Sequence, residues 1–139
     1  MRRSLLFGAC ILIIACTPDP GTYIDHLQGY WEIDQVILSD GSERTYNYND
    51  TIDYIEITDS MIGYRKKMKP NFNGTFEASK DATKFKLKVE GDSLNIYYET
   101  QNSIWKETVL HANESSLKII NQNKDVYLYR VYEPILLDQ

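Results

Sequence analysis

Cysteine and histidine are scarce in this chain of 139 residues, which contains two of each: Cys10, Cys16, His26 and His111. A Cys/His or Ser/His/Asp catalytic arrangement is therefore not expected, and no metal-ligand spacing is visible. The acidic residues do not follow the pattern of a calcium loop, and no glycine-rich phosphate loop occurs. We predict that the protein is not an enzyme and holds no metal or cofactor.

Glycine, proline and positive charge are also limited. Seven glycines and four prolines argue against long disordered stretches, and the length suits one domain. The net charge is -5. Loss of residues 1–15 would remove Arg2 and Arg3, leaving 13 basic against 20 acidic residues, or -7. Such a balance excludes nucleic acid as the main partner, because phosphate binding needs a basic face.

No apolar run reaches the ~20 residues that a membrane-spanning helix needs. The run Leu5 to Ala15 is shorter, and it follows the basic pair Arg2 and Arg3. A short positive segment followed by an apolar run of this length is typical of a signal peptide. The apolar run stops at Cys16, where a linker with two prolines begins.

The sequence Ile13-Ile14-Ala15-Cys16 resembles the bacterial lipobox, in which a small residue precedes the cysteine that receives the lipid. The resemblance implies a signal peptide over residues 1–15, acylated Cys16 and a lipidated linker over residues 16–22. The protein would then be exported, with the membrane as a partner through its lipid. Thr17, not Asp, follows the cysteine, so we expect the outer membrane. An ordinary signal peptide with Cys16 unmodified, or modification of Cys10, are the alternatives.

From Tyr30 onward the apolar residues recur with a period of two, which is typical of strands. In the segment 83–89, Phe85, Leu87 and Val89 alternate with lysines, so one face is predicted to be buried. The turn Glu90-Gly91-Asp92 then predicts a hairpin, since Gly allows a positive φ.

Strands separated by turns every 8–12 residues indicate a sandwich or a barrel. Short connections favour an up-and-down meander, and closure into a barrel removes its exposed edges. We therefore predict an all-β, antiparallel barrel of eight to nine strands over residues 23–139, with one helical turn at Tyr23–Leu27. The predicted strands are Tyr30–Leu38, Thr51–Thr58, Met61–Lys69, Gly74–Ser79, Thr83–Val89, Leu94–Glu99, Ser103–His111, Ser116–Asn121 and Val126–Tyr132.

The segment Gly29-Tyr30-Trp31, after a short helical turn, resembles the opening of a lipocalin-type barrel, and the whole pattern is similar to lipocalin-like lipoproteins of Bacteroidetes. The resemblance implies barrel closure by Gly29, Trp31 and Arg130, with the guanidinium of Arg130 lying across the indole. It departs from secreted lipocalins in lacking their disulfide and their Thr-Asp-Tyr signature, for which Ile52-Asp53-Tyr54 offers only Asp-Tyr.

Two functions remain open for such a barrel. It binds a small, partly apolar ligand inside, or it is filled and serves as a structural or interaction module that docks on an envelope protein. The aromatic residues that we expect to line a cavity, or else to fill a solid core, are Tyr97, Tyr98, Trp105, Tyr127 and Tyr129.

Two further patterns are weaker. The basic residues Arg65, Lys66, Lys67 and Lys69 predict a solvated strand face. The triplets Asp50-Thr51-Ile52, Asp59-Ser60-Met61 and Asp92-Ser93-Leu94 look like the O-glycosylation motif of exported Bacteroidetes proteins, although Asp with Ser or Thr is also ordinary turn chemistry.

Overall fold

The computed structural model describes residue 16 and residues 18–134. One short 3₁₀ helix, Pro20–His26, precedes the sheet. Asp19 caps it, because the Asp19 carboxylate accepts a hydrogen bond from the backbone N–H of Gly21 at 2.9 Å, and Pro20 needs no donor at this position. The helical turn expected at Tyr23–Leu27 therefore exists and begins three residues earlier.

Ten strands follow within the described residues, and all their pairings are antiparallel. They are β1 Gly29–Ile37, β2 Glu43–Thr45, β3 Ile52–Asp59, β4 Ile62–Pro70, β5 Phe76–Ala78, β6 Thr83–Glu90, β7 Ser93–Glu99, β8 Ile104–Ala112, β9 Ser116–Ile120 and β10 Val126–Val131.

Eight of these strands form a closed barrel, because β1 pairs with β10 as well as with β3. The short strands β2 and β5 are additions that pair with β1 and β4. The predicted all-β meander and its closure are confirmed. The strand β2 was not predicted, since its three residues are all exposed and show no apolar alternation.

The two ends of the barrel differ. The N-terminal helix and the hairpin turns β3–β4, β6–β7 and β8–β9 lie at one end, which we call the closed end. Tyr23 and Ile24 of the helix pack against the apolar core, and Leu27 is fully buried. The segments between β1 and β3, β4 and β6, β7 and β8, and β9 and β10 lie at the other end, the mouth.

The core fills the half of the barrel next to the closed end. Its buried members come from seven strands and the residue after the helix; they are Leu27, Trp31, Ile55, Phe85, Leu87, Leu94, Ile96, Tyr98, Val109, Ala112, Leu117, Ile119 and Tyr129. The hairpin predicted at Glu90-Gly91-Asp92 is present, and Gly91 has the positive φ, 59°, that the turn requires.

Gly63 on β4 is packed so tightly that it has no room for a side chain. A Cβ atom there would lie 2.4 Å from the Glu56 carbonyl oxygen and 2.4 Å from Cζ of Phe85. We expect Gly63→Ala to lower the free energy of unfolding by ~1–3 kcal/mol, because one contact is with backbone. Urea denaturation measures it, with Gly21→Ala as the control, since a Cβ at Gly21 meets only the Asp19 carboxylate at 3.3 Å. Equal stability of both variants would contradict the close packing.

Candidate functional site

The guanidinium of Arg65, on β4, lies in the interior of the barrel. Its Nη1 donates hydrogen bonds to the Tyr98 hydroxyl and to Glu107 Oε2, both at 3.0 Å. Its Nη2 donates to Asp53 Oδ2 at 3.1 Å and to the Tyr129 hydroxyl at 2.7 Å. We call these five residues the Arg65 network. It joins β4 to β3, β7, β8 and β10, and so ties together strands on all sides of the barrel.

The two tyrosines of the network are neutral partners. Tyr98 also donates its hydroxyl proton to Glu107 Oε2 at 2.9 Å. Burial raises the pKa of the Tyr129 hydroxyl to about 12 and the pKa of the Tyr98 hydroxyl further still, against the opposing effect of the Arg65 charge. The guanidinium carbon of Arg65 also lies 5.6 Å from the centroid of the Tyr129 ring, within cation–π range. The network therefore holds its charge on Arg65, Asp53 and Glu107.

Asp53 is 4% exposed, and it lines a cavity next to the network. Burial by itself would raise the pKa of Asp53, but the charges of Arg65 and Lys67 outweigh burial and hold this pKa below its ordinary value. Nζ of Lys67 lies 2.7 Å from Asp53 Oδ1, although the Lys67 side chain is 63% exposed. Within the described part of the chain, this exposed ammonium group is the partner of Oδ1, whereas Oδ2 is bonded to the guanidinium of Arg65.

Above the Arg65 network lies a cavity of about 190 Å³ that opens toward the mouth. We call it the cup. Its wall on β1 and β10 is mostly apolar, formed by Trp31, Ile33, Tyr127 and Tyr129. Asp53 and Lys67 provide charged groups, and the segment of residues 49–52 completes the lining. A small cavity with an apolar wall and a few charged groups is the usual form of a small-molecule site.

The lowered pKa of Asp53 predicts a pH dependence of stability. A carboxylate whose pKa is depressed in the folded state stabilises the fold above its unfolded pKa of ~3.9, and this contribution is lost as the pH falls through the folded value. We expect the free energy of unfolding to decline below about pH 4, and to decline less over the same interval in Asp53→Asn. Urea denaturation at several pH values measures this, with Glu114→Gln as a control. Parallel pH profiles for wild type and Asp53→Asn would contradict the assignment.

The five aromatic residues that were expected to line a cavity or fill a core lie in three different environments. Tyr127 and Tyr129 line the cup. Tyr98 belongs to the Arg65 network, and the Trp105 ring stacks on it at a centroid distance of 5.0 Å. Tyr97 faces away from the interior, where its hydroxyl bonds the Glu90 carboxylate. The interior is thus partly core and partly cavity.

The prediction that the Arg130 guanidinium lies across the Trp31 indole is wrong. Trp31 is 2% exposed, and its indole N–H donates to the Leu27 carbonyl at 2.8 Å. Arg130 lies opposite Glu32 in the β1–β10 register, so it is on the other face of the sheet. Its Nε donates to Glu32 Oε2 at 3.2 Å, and its Nη1 contacts Asp34. Arg130 therefore links the last strand to the first, but through carboxylates rather than through an indole.

Gly29 begins β1 with a φ of 144°, in the region that favours glycine.

The prediction of a solvated face for the basic run is wrong for Arg65, whose side chain is 15% exposed. The error follows from the pattern of β4, where the inward residues are Gly63, Arg65 and Lys67 while the apolar Met68 lies on the other face. The prediction rested on the usual exposure of a run of basic residues, and in this strand every second member of the run points inward. Asp53, which the sequence offered only as part of an Asp-Tyr pair, is the second residue of the site that was missed.

The lipidation prediction falls mostly outside the described residues, since the proposed signal peptide, residues 1–15, is not among them. Cys16 is exposed and has no disulfide partner in the described part of the chain. At the glycosylation-like triplets, Thr51 and Ser60 are exposed and Ser93 is half-buried. Acylation and glycosylation both stay predictions.

Within residue 16 and residues 18–134, no helix is both long and apolar enough to cross a bilayer. In this same part of the chain, no group of three or more His, Cys, Asp and Glu side chains is placed to hold a metal ion.

A closed antiparallel barrel with a plugged end, an open end and a cavity at that end defines a protein of the ligand-binding barrel class. The family model described as "Lipocalin-like domain" matches residues 27–119, which are 93 of the 139 residues. The chain therefore belongs to the lipocalin-like domain family. This family is generally non-enzymatic.

A solved structure has a similar fold. It is the crystal structure of a lipocalin-like protein from Bacteroides uniformis, which is 13% identical to this chain, with a TM-score of 0.50. The match covers 77% of this chain and 99% of that one. At this identity the likeness concerns the fold alone. No curated protein sequence matches the chain.

Proposed function

We propose that the protein is a lipid-anchored lipoprotein of the cell envelope whose barrel binds one small, partly apolar molecule in the cup. It acts by binding and not by catalysis. The observation that carries this proposal is the cup itself, where an apolar wall of Ile33 and Tyr127 faces Asp53 Oδ1, whose partner among the described residues is the exposed ammonium group of Lys67. A ligand that donates a hydrogen bond to this buried, charged acceptor, beside or in place of Lys67, gains free energy.

The size of the cup limits the ligand. A cavity of about 190 Å³ is slightly larger than the ~150 Å³ cavity that binds benzene in an engineered protein. One substituted ring is therefore the expected size, with a hydrogen-bond donor directed at Asp53. The Arg65 network forms the floor, which excludes a long chain that would extend into the filled half of the barrel.

The position of Cys16 gives the tethered barrel an orientation. The helix that starts at Pro20 lies at the closed end, and Cys16 precedes it by four residues. Four residues span at most about 14 Å. Lipid on Cys16 would therefore hold the closed end toward the membrane, and the mouth would open toward the aqueous side. The ligand would then enter from water and not from the bilayer.

Ligand binding is tested with p-cresol and with p-xylene, which has the same shape but no hydrogen-bond donor. We expect p-cresol to shift the amide NMR signals of Asp53, Tyr127 and Tyr129, and to bind roughly tenfold more tightly than p-xylene, because a hydrogen bond to a charged acceptor is worth about 1.5–3 kcal/mol. Ile33→Phe should abolish binding by filling the cup.

Controls separate the cup from other surfaces. Tyr127→Trp fills the cup from the neighbouring strand β10 and should act like Ile33→Phe, while Leu110→Phe on the exposed side of β8 should leave binding unchanged. Melting temperatures confirm that each variant folds. Binding of neither probe, or binding that survives both filling substitutions, would overturn the interior site.

Lipid attachment has its own experiment. The full chain is expressed in a Gram-negative host with an alkyne fatty acid and then fractionated. We expect label and membrane association in wild type and in Cys10→Ser, and loss of both in Cys16→Ser. Label that persists in Cys16→Ser, or that disappears in Cys10→Ser, would refute acylation of Cys16.

A second function is favoured by one observation. Tyr48 and Phe72 are 68% and 70% exposed on the outer surface, whereas half of the barrel interior is filled with side chains. Exposed aromatic side chains of this kind are frequent at binding surfaces. The alternative is therefore a non-catalytic interaction module of the envelope, which predicts loss of a co-purifying envelope protein in Phe72→Ser.

A further inference from the structure

A larger cavity lies on the outer face of the barrel, separate from the cup. It has a volume of about 400 Å³ and runs between the segment before β3, the β4–β5 hairpin and the end of β10. Three aromatic side chains line it: Tyr48, Phe72 and Tyr132. We call this cavity the aromatic groove. Asn49 and Asp50 line both cavities, so one short segment separates the groove from the cup.

The walls of the aromatic groove are held in place by the barrel. The Asn49 side-chain amide donates to Glu32 Oε1 at 3.2 Å and to the Ile33 carbonyl at 2.9 Å. The guanidinium of Arg130 donates to the Tyr46 carbonyl at 3.3 Å. These bonds fix both ends of the segment that carries Tyr48. The groove is therefore built before any ligand arrives.

The third ring of the groove is supported by further aromatic residues. The Tyr132 ring packs edge-on against Phe76 at 5.9 Å, and Phe76 stacks on Tyr30 at 4.9 Å. Burial, and then the electrostatic effect of Glu32 and Tyr48, raise the pKa of the Tyr132 hydroxyl. One ring of the groove is thus rigid, while the Tyr48 and Phe72 rings are exposed.

The charge of the groove is negative. Three carboxylates, Glu32, Asp50 and Glu133, line it together with one ammonium group, that of Lys69. Glu32 is neutralised by Arg130. Asp50 and Glu133 are exposed and form no salt bridge within the described residues. A cation that enters the groove would therefore meet unpaired carboxylates as well as aromatic faces.

We propose that the aromatic groove binds a small organic cation, an alkylated ammonium group, between the Tyr48, Phe72 and Tyr132 rings with Asp50 and Glu133 as counter-charges. Aromatic faces attract such cations through the ring quadrupole, and alkyl groups on the nitrogen reduce the cost of removing water. A volume of about 400 Å³ accommodates a choline-sized group, attached to a larger molecule or free. This site goes beyond the proposed ligand of the cup and uses different residues.

The test compares choline with 3,3-dimethylbutan-1-ol, its neutral isostere, by amide NMR titration of the whole protein. We expect choline to shift the signals of residues 47–50, 69, 71 and 72 and the neutral alcohol to bind about two- to fivefold more weakly or not at all. Higher salt should weaken choline binding, because the carboxylates at the surface are screened.

Substitutions locate the site. Tyr48→Ala and Phe72→Ala should each weaken choline binding about two- to fivefold, and both positions are exposed, so these variants should fold. Glu133→Gln should weaken binding, whereas the matched Glu114→Gln, in the β8–β9 turn at the closed end, should not.

Three outcomes would overturn the proposal: equal binding of choline and the alcohol, binding that survives both aromatic substitutions, or no choline binding at all. A protein that binds the groove while choline does not would assign the surface to a protein partner instead. Ile33→Phe and Tyr127→Trp do not alter groove residues. If the cup binds no ligand, the choline titration therefore still tests the aromatic groove.

Discussion

Replacement of Arg65 by methionine is expected to lower the free energy of unfolding by ~3–5 kcal/mol, because it leaves the buried carboxylate of Asp53 and the half-buried carboxylate of Glu107 without their shared cation. The hydroxyls of Tyr98 and Tyr129 lose their donor as well. Methionine keeps most of the side-chain volume, so the loss reports the charge and its hydrogen bonds. Urea denaturation followed by circular dichroism measures it.

A matched control and a compensating variant make the Arg65 prediction sharper. Lys84→Met removes an exposed cation from β6, which pairs with β4, and should change stability by less than about 0.5 kcal/mol. Adding Asp53→Asn and Glu107→Gln to Arg65→Met should recover part of the loss, since no unpaired charge then remains buried. A loss below ~1 kcal/mol in Arg65→Met, or no recovery in the triple variant, would show that the network does not stabilise the barrel.

Replacement of Trp31 by alanine is expected to cost ~3–5 kcal/mol of stability, as is usual when a large buried aromatic residue is truncated. Trp31 is 2% exposed and packs in the core next to the closed end. The substitution also leaves the Leu27 carbonyl without the indole N–H that it accepts. Thermal and urea unfolding both measure the loss.

Two further variants separate the contribution of the Trp31 ring volume from that of its hydrogen bond. Trp31→Phe keeps much of the ring volume but removes the donor to Leu27, so it should cost less than Trp31→Ala. Tyr48→Ala truncates an aromatic side chain that is 68% exposed and should leave stability nearly unchanged. An unchanged melting temperature in Trp31→Ala would refute its structural role at the closed end.

Much of the fold could be predicted from local patterns. The alternation of Phe85 and Leu87 with lysines identified β6, and the β6–β7 hairpin followed from the conformational freedom of Gly91. The strand β2 could not be predicted in this way, because an exposed three-residue strand at the mouth is formed by its pairing to β1 and not by burial. Local patterns are reliable where one face is buried and the other is wet.

The candidate site was mostly invisible to the same reasoning. Tyr127 and Tyr129, which were expected either to line a cavity or to fill a solid core, lie in the wall of the cup, and Tyr129 also belongs to the core. Arg65 was expected on a wet surface, because a run of basic residues normally lies there. Its partners are 12, 33, 42 and 64 residues away along the chain, so no spacing in the sequence indicated that they would meet.

The amino-acid sequence by itself determined the strand order, the tight turns, the helical plug and the apolar signal-like segment that ends at Cys16, since each depends on neighbours in the chain. Only the tertiary structure decided that the polar side of β4 faces inward and that Arg130 bonds carboxylates on the outside of the barrel. The physical reason for both is the closure of the sheet into a barrel. Once β1 pairs with β10, every strand has one interior face, and Arg65 is tolerated there because Asp53 and Glu107 compensate its charge.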